Sequence, residues 1–125
     1  MDKIEESLNQ PSFLIPFSKE WKQFFWRHFN REFNEIGRFW GRFPEKFVFE
    51  GKYVLDFGSG SGCLPISLAQ KKASKIVGFE IDPNYTAFSN FNLDERFSEY
   101  KDVVNYQNGD LDDLEDSSFD IIISK

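Results

Sequence analysis

A glycine-rich turn between a short apolar run and a helical stretch constrains this chain more than any other feature. The segment from Val54 to Gly62 reads V-L-D-F-G-S-G-S-G. A strand that ends in Gly-x-Gly-x-Gly and continues into a helix can turn tightly and approach a ligand, because no Cβ atoms stand in the way. Such a turn also presents backbone N–H groups at the helix N-terminus. The segment therefore predicts a ligand-binding strand, turn and helix.

Short apolar runs alternate with helical stretches after Lys52, which indicates βαβ units and a parallel sheet. Asp82 is a plausible N-cap for a helix that begins at Pro83. Right-handed crossovers predict four parallel strands in the order 3-2-1-4. The fold class is α/β and Rossmann-like, with predicted strands at 53–57, 75–79, 103–106 and 119–124 and helices at about 63–72 and 83–100.

The composition changes near Gly51, because all three tryptophans lie before it. We therefore predict three parts: a flexible lead-in at 1–17, a helical extension at 18–50 and a domain at 51–125. Ser18 as N-cap, Glu20 in the first turn and Gly37 as a stop predict a helix that ends at about residue 36.

One face of this N-terminal helix is strongly aromatic. Residues at spacings of three and four form that face, and they are Trp21, Phe24, Phe25, His28, Phe29, Glu32 and Ile36. We expect the face to pack on the domain and close over the ligand, with Trp21, Phe25 and Phe29 most buried. A lid over the site and an interfacial helix that touches lipid are the alternatives.

Composition argues against several classes of protein. The net charge of −6 gives no support for binding to a phosphate backbone. The single cysteine, Cys63, cannot form an internal disulfide, and no apolar run approaches the length of a membrane span. Because the acidic, polar start is unlike a signal or transit peptide, we expect a cytoplasmic protein without a transmembrane segment.

The residues from Val54 to Gly62 resemble the first motif of class I S-adenosylmethionine-dependent methyltransferases. That motif is an aliphatic pair, an acidic residue, one variable residue and Gly-x-Gly-x-Gly. Two further acidic residues occur in the family's order, because Glu80 stands directly at the end of the second predicted strand and Asp110 follows the third. The resemblance covers residues 51–125 and implies S-adenosyl-L-methionine as cofactor.

The resemblance also implies roles for single residues. Asp56 would help to place the methionine portion of the cofactor, and Glu80 would accept hydrogen bonds from the ribose hydroxyls. Ionised carboxylates suit that task because they only accept. Asp110 would accept from the adenine amino group, with Leu111 close to the ring. The cofactor-binding set is Asp56, Gly58, Ser59, Gly60, Gly62, Cys63, Glu80, Ile81, Asp110 and Leu111.

The implied reaction is an in-line displacement in which an acceptor atom takes the methyl group from the sulfonium. The resemblance identifies neither the acceptor, a small molecule or a protein, nor a catalytic base. Class I sheets have three more strands after the fourth, so we expect an incomplete domain, truncated at the C-terminus, that is poorly stable and inactive alone. A non-catalytic fragment that binds the cofactor is the alternative function.

A dinucleotide-binding Rossmann domain is the nearest competitor, because it shares the strand, turn, helix and acidic residue. Its fingerprint is Gly-x-Gly-x-x-Gly, whereas Gly62 comes one residue early. A carboxylate at Asp56 would also repel a pyrophosphate but not a cationic sulfonium. The sequence therefore favours the methyltransferase.

Other residues have simpler explanations than chemistry. Cys63 could be a reactive thiol at a helix N-terminus, but lining the pocket is the simpler role. His28, the single histidine, is expected to pack among aromatic residues rather than act as a base. The acidic stretch lacks the spacing of a calcium loop, so we expect a solvated loop and no metal site; its members are Asp110, Asp112, Asp113, Glu115 and Asp116.

Overall fold

The computed structural model describes residues 14–42, 48–114 and 118–124. These ranges contain three α-helices and four strands. The first helix precedes all four strands, and the other two helices connect the first strand to the second and the second strand to the third. Two short 3₁₀ turns, Ser98–Tyr100 and Leu111–Asp113, flank the third strand. In chain order the elements are α1 Lys19–Arg42, β1 Tyr53–Phe57, α2 Cys63–Gln70, β2 Lys75–Glu80, α3 Pro83–Arg96, β3 Val104–Asn108 and β4 Ile121–Ser124.

The four strands form one parallel sheet in the order β3-β2-β1-β4, which confirms the predicted topology. Phe57 of β1 lies opposite Phe79 of β2 and opposite Ser124 of β4. Glu80 of β2 lies opposite Asn108 of β3. Because all strands run the same way, their carboxyl ends meet at one edge of the sheet, where open α/β sheets bind ligands.

Helix α1 packs its aromatic face into the core, as predicted. Trp21 and Phe25 are fully buried, and Phe29 is 1% exposed. Each contacts the ring of Phe88 in α3, with ring centroids 5.9, 5.0 and 6.5 Å apart, respectively. Large aromatic side chains bury 150–250 Å² each, so this contact contributes a major part of the hydrophobic core.

The predicted end of α1 at Gly37 is wrong, because the helix continues to Arg42. The indole Nε1 of Trp40 donates a hydrogen bond of 2.6 Å to Ser67 Oγ, and its ring meets Phe49 edge-on at 5.4 Å. An internal glycine such as Gly37 costs a helix about 1 kcal/mol. The contacts that Trp40 makes in the following turn offset this cost. The predicted start is confirmed, because Trp21 N donates to Ser18 Oγ at 3.2 Å.

The remaining element boundaries shift by a few residues. Helix α3 ends at Arg96, because Phe97 leaves the helical conformation with φ −136° and ψ 35° before a 3₁₀ turn. Its start is as predicted, with the Asp82 side chain accepting from Asn84 N at 2.9 Å. Helix α2 stops two residues earlier than predicted, and β2 extends by one residue to Glu80.

Strands β3 and β4 both begin later than the apolar pattern predicts. Val103 belongs to a turn, since its N–H donates to Tyr100 O at 3.0 Å. Asp120 also precedes its strand, and its side chain accepts from Tyr53 N at 2.8 Å. The predicted lead-in lies mostly outside the described residues, apart from a turn at 14–17. No described helix is both long and apolar enough to cross a membrane.

Candidate functional site

The glycine loop, residues 58–62, lies at the carboxyl edge of the sheet between β1 and α2. Its three glycines all have positive φ, at 82°, 57° and 92°. A Cβ atom added at Gly58 or Gly60 would meet nothing within 4 Å, whereas at Gly62 it would lie 2.8 Å from Ser89 Oγ and Tyr106 OH. The first two glycines therefore leave open space in front of the loop. The third glycine, Gly62, allows Ser89 and Tyr106 to pack closely against the back of the loop.

Two hydroxyl groups fix the loop from behind. The Tyr106 hydroxyl donates a hydrogen bond of 2.6 Å to Gly62 O, and Ser89 Oγ donates to Gly60 O at 3.3 Å. Burial raises the pKa of Tyr106 well above its usual value of 10, and Cys63 and Asp56 add to this shift. The phenol therefore stays protonated and remains a donor throughout the physiological pH range.

Most of the loop's own N–H groups are used within the protein. Gly58 N and Ser59 N both donate to Phe79 O, at 2.7 and 3.1 Å, and Gly62 N donates to Ser59 O at 3.0 Å. Gly60 N donates to the Oε1 atom of Glu80 at 2.9 Å. Four backbone donors that could bind a pyrophosphate are thus already engaged, which argues against the dinucleotide alternative.

Glu80 is half-buried at the end of β2, directly beside the loop. Its second oxygen, Oε2, accepts from Asp82 N at 2.8 Å. An ionised carboxylate has about four acceptor positions, so these two bonds leave room for two more donors. The amide of Asn108 donates to the carbonyls of Glu80 and Ile81 at 2.9 and 3.2 Å, which holds this turn while the Ile81 side chain stays 67% exposed.

Asp56 lies beneath the loop, in the middle of the sheet. Its side chain is fully buried, and its Cα is in register with Gly78 of β2 and Ile123 of β4. A Cβ atom at Gly78 would lie 2.8 Å from the Tyr106 ring, so the absence of a side chain there admits the tyrosine that supports the loop. Asp56 and Tyr106 thus both lie in the layer directly behind the glycines.

The Asp110 segment closes on itself at the same edge. Asp110 N donates to Asp113 Oδ2 at 2.7 Å, and Asp113 N donates to Asp110 O at 2.8 Å. Asp110, Asp112 and Asp113 are exposed, whereas Glu115 and Asp116 lie outside the described residues. The described residues contain no group of three His, Cys, Asp or Glu side chains that could hold a metal ion.

Helix α1 contacts the glycine loop directly. The predicted cofactor-binding set contains no residue of this helix. Ser61 Oγ donates to Glu32 Oε2 at 3.3 Å, and Cys63 Sγ donates to Phe29 O at 3.2 Å. The available signal was the position of Glu32, a charged residue on the mostly aromatic face of α1. The hydrogen bond of the Cys63 thiol connects α2 to α1. Because Cys63 is fully buried, its thiol is also shielded from solvent.

Tyr85 and His28 both lie within electrostatic range of the Glu32 carboxylate. Burial raises the pKa of Tyr85, and the carboxylates of Asp82, Glu32 and Glu80 add to the shift. Burial lowers the pKa of His28, and Arg31 contributes to this, with its NH2 atom 3.0 Å from His28 Nδ1. Three carboxylates therefore act on Tyr85, and negative charge of this kind attracts a cationic ligand.

Comparisons with known proteins identify the family of this region. A family model described as a methyltransferase domain matches residues 49–125. The ribosomal protein L11 methyltransferase of Bacillus licheniformis is 30% identical over 80 residues, covering 64% of this chain and 25% of the relative. The chain therefore spans about a quarter of the length of that relative.

Solved structures show the same relationship. An RNA methyltransferase of Salinibacter ruber in complex with S-adenosyl-L-homocysteine has a TM-score of 0.55 and 30% identity, covering 62% of this chain and 49% of its own. A candidate S-adenosyl-L-methionine-dependent methyltransferase of Methanococcus maripaludis has a TM-score of 0.65 at 20% identity, over 90% of this chain and 53% of its own. The likeness in fold to the second structure thus covers most of the chain.

Proposed function

This chain belongs to the methyltransferase domain family, and we propose that it binds S-adenosyl-L-methionine at the carboxyl edge of its sheet and serves methyl transfer to an acceptor. The observation that carries the proposal is the position of Glu80, whose carboxylate borders an open glycine loop. When bound, S-adenosylmethionine supplies a methyl group on a positively charged sulfur. An acceptor atom can attack this methyl carbon in line with the carbon–sulfur bond, and the sulfur leaves as the thioether of S-adenosylhomocysteine. The protein's own part is to bind and orient this donor.

The residues present fit such a ligand. Space in front of Gly58 and Gly60 admits a ligand close to the backbone. The Glu80 carboxylate keeps two acceptor positions for the two ribose hydroxyls. The carboxylates of Asp82, Glu32 and Glu80 all act on Tyr85. Their negative charge suits the sulfonium and ammonium groups of the donor.

The roles of the remaining single residues are those that the family resemblance implies. Asp56 would orient the methionine portion, and Glu80 the ribose. Asp110 would accept from the adenine amino group. The loop and the adjoining turns would line the pocket through Gly58, Ser59, Gly60, Gly62, Cys63, Ile81 and Leu111.

Two of the three proteins named above differ in the acceptor that their names give, which supports a shared methyl donor rather than a shared acceptor. One is named for a ribosomal protein and the other for RNA, yet each covers less than two thirds of this chain. The RNA methyltransferase structure contains S-adenosyl-L-homocysteine. What enzymes with different acceptors have in common is the methyl donor, so we assign donor binding to the matched region.

Isothermal titration calorimetry of the full chain with S-adenosylhomocysteine tests this function, with NADH as the competing dinucleotide. We expect S-adenosylhomocysteine to bind and NADH to bind more weakly. Tighter binding of NADH would contradict the proposal. Release of S-adenosylhomocysteine from the methyl donor, followed over time with candidate acceptors, then separates an enzyme from a fragment that only binds the cofactor.

A further inference from the structure

We propose that Glu32 of α1 binds the ammonium group of the cofactor's amino acid portion, so that the N-terminal helix forms part of the cofactor site. This inference rests on the proposed function and adds a residue from outside the predicted set. Its basis is a direct contact: Glu32 Oε2 accepts a hydrogen bond of 3.3 Å from Ser61 Oγ. Ser61 lies inside the glycine loop, between Gly60 and Gly62.

The position of Glu32 is fixed by the packing of its helix. Phe29, three residues earlier on the same face, is buried and accepts from Cys63 Sγ through its carbonyl oxygen at 3.2 Å. Residues three apart on a helix are neighbours, so this contact holds Glu32 against the loop. The stacked rings of Phe25 and Phe88, with centroids 5.0 Å apart, anchor the preceding turn.

The Glu32 carboxylate has capacity for a cation. It is half-buried, and within the described ranges no lysine or arginine lies at ion-pair distance from it, the Lys101–Asp94 pair being elsewhere. Nearby Arg31 instead contacts His28 Nδ1 at 3.0 Å. A partly buried carboxylate gains most from a charged hydrogen-bond donor, and a single hydroxyl at 3.3 Å uses only a fraction of its acceptor capacity.

An ammonium group fits this position better than the other groups of the cofactor. The ribose hydroxyls are assigned to Glu80, which accepts from Gly60 N at 2.9 Å, whereas Glu32 contacts the next residue of the loop, Ser61. A carboxylate would repel the carboxylate of the amino acid portion, whereas an ammonium offers three donors that Glu32 and neighbouring acceptors can share. The contact would add specificity for ligands that carry an amino acid over nucleosides that do not.

The test compares two ligands that differ only in this group. S-adenosylhomocysteine and its deamino analogue, in which hydrogen replaces the amino group, are titrated against the wild-type chain, Glu32→Gln and Glu35→Gln. Glu35 is an exposed residue of the same helix and provides the matched control. We expect Glu32→Gln to weaken S-adenosylhomocysteine binding about tenfold or more, while the deamino analogue binds within about twofold of wild type.

The outcomes separate this inference from the proposed function. If Glu32→Gln weakens both ligands equally, the residue only shapes the loop, and the inference is wrong. Unchanged binding of both ligands would also overturn it, as would loss of folding in both Glu32→Gln and the charge-retaining Glu32→Asp. If the wild-type chain binds NADH but neither adenosine thioether, the proposed function itself fails.

Discussion

The N–H group of Gly60 donates a hydrogen bond of 2.9 Å to Oε1 of Glu80. This bond joins the glycine loop to the end of β2, two segments that are 20 residues apart in sequence. Because Glu80 Oε2 also accepts from Asp82 N, one side chain sets the spacing between the loop and the start of α3. The carboxylate is therefore oriented before any ligand arrives, which reduces the ordering that binding requires.

Replacing Glu80 with Gln should weaken the binding of S-adenosylhomocysteine. Each charge-assisted bond to a ribose hydroxyl that is lost costs about 1.5–3 kcal/mol. Glu99→Gln, an exposed residue of a 3₁₀ turn, is the control and should bind as wild type does. Titration calorimetry measures both variants, and unchanged affinity in Glu80→Gln would remove the ribose assignment.

Gly62→Ala should destabilise the fold. The added methyl group would lie 2.8 Å from Ser89 Oγ and Tyr106 OH, at a backbone φ of 92°, and overpacking of this kind costs about 1–3 kcal/mol. Gly37→Ala is the matched control, because Gly37 is helical and its Cβ would meet nothing within 4 Å. That change should stabilise the chain by about 0.5–1 kcal/mol. Urea unfolding that gives both variants the same sign of change would contradict the packing described here.

The glycine loop could be predicted because its motif lies in one short segment, and the strand order could be predicted because right-handed crossovers restrict how successive parallel strands are arranged. Residues from Val54 to Gly62 contain the end of the strand, the turn and the residue before α2, and the three glycines adopt the positive φ angles of the turn. The role of Glu32 could not be predicted, because its contact with Ser61 spans 29 residues and depends on how α1 packs. The end of α1 was missed for the same reason, since Trp40 keeps the helix intact beyond Gly37 by contacting Ser67 of α2.

Truncating Phe25 should show that α1 is an integral part of the core. Phe25 is fully buried and stacks on Phe88 with ring centroids 5.0 Å apart, so Phe25→Ala should lower the free energy of unfolding by about 3–5 kcal/mol. Phe39→Ala in the same helix is the control, because Phe39 is 44% exposed. Equal effects of the two changes on urea unfolding would mean that α1 does not pack on α3 as described.

Tyr106 should make stability depend on pH in the alkaline range. Burial raises its pKa well above 10 in the folded chain, with Cys63 and Asp56 contributing, whereas in the unfolded chain the phenol titrates near 10. Above that pH the unfolded state has lost this proton and the folded state retains it, so the free energy of unfolding falls as pH rises. Below it the contribution of the protonated phenol is fully present.

The variant Tyr106→Phe isolates this contribution. It removes the hydroxyl that donates to Gly62 O at 2.6 Å, so at neutral pH the variant should be less stable by about 1–3 kcal/mol. As pH rises above about 10, the wild type should lose stability more steeply, because only it carries the buried phenol, and the difference between the two proteins should narrow. Urea unfolding at a series of pH values measures this difference, in which all other titrating groups cancel. A difference that stays constant from neutral to alkaline pH would show that Tyr106 has the same pKa in the folded and unfolded chain, and that the loop is not supported by a buried, protonated phenol.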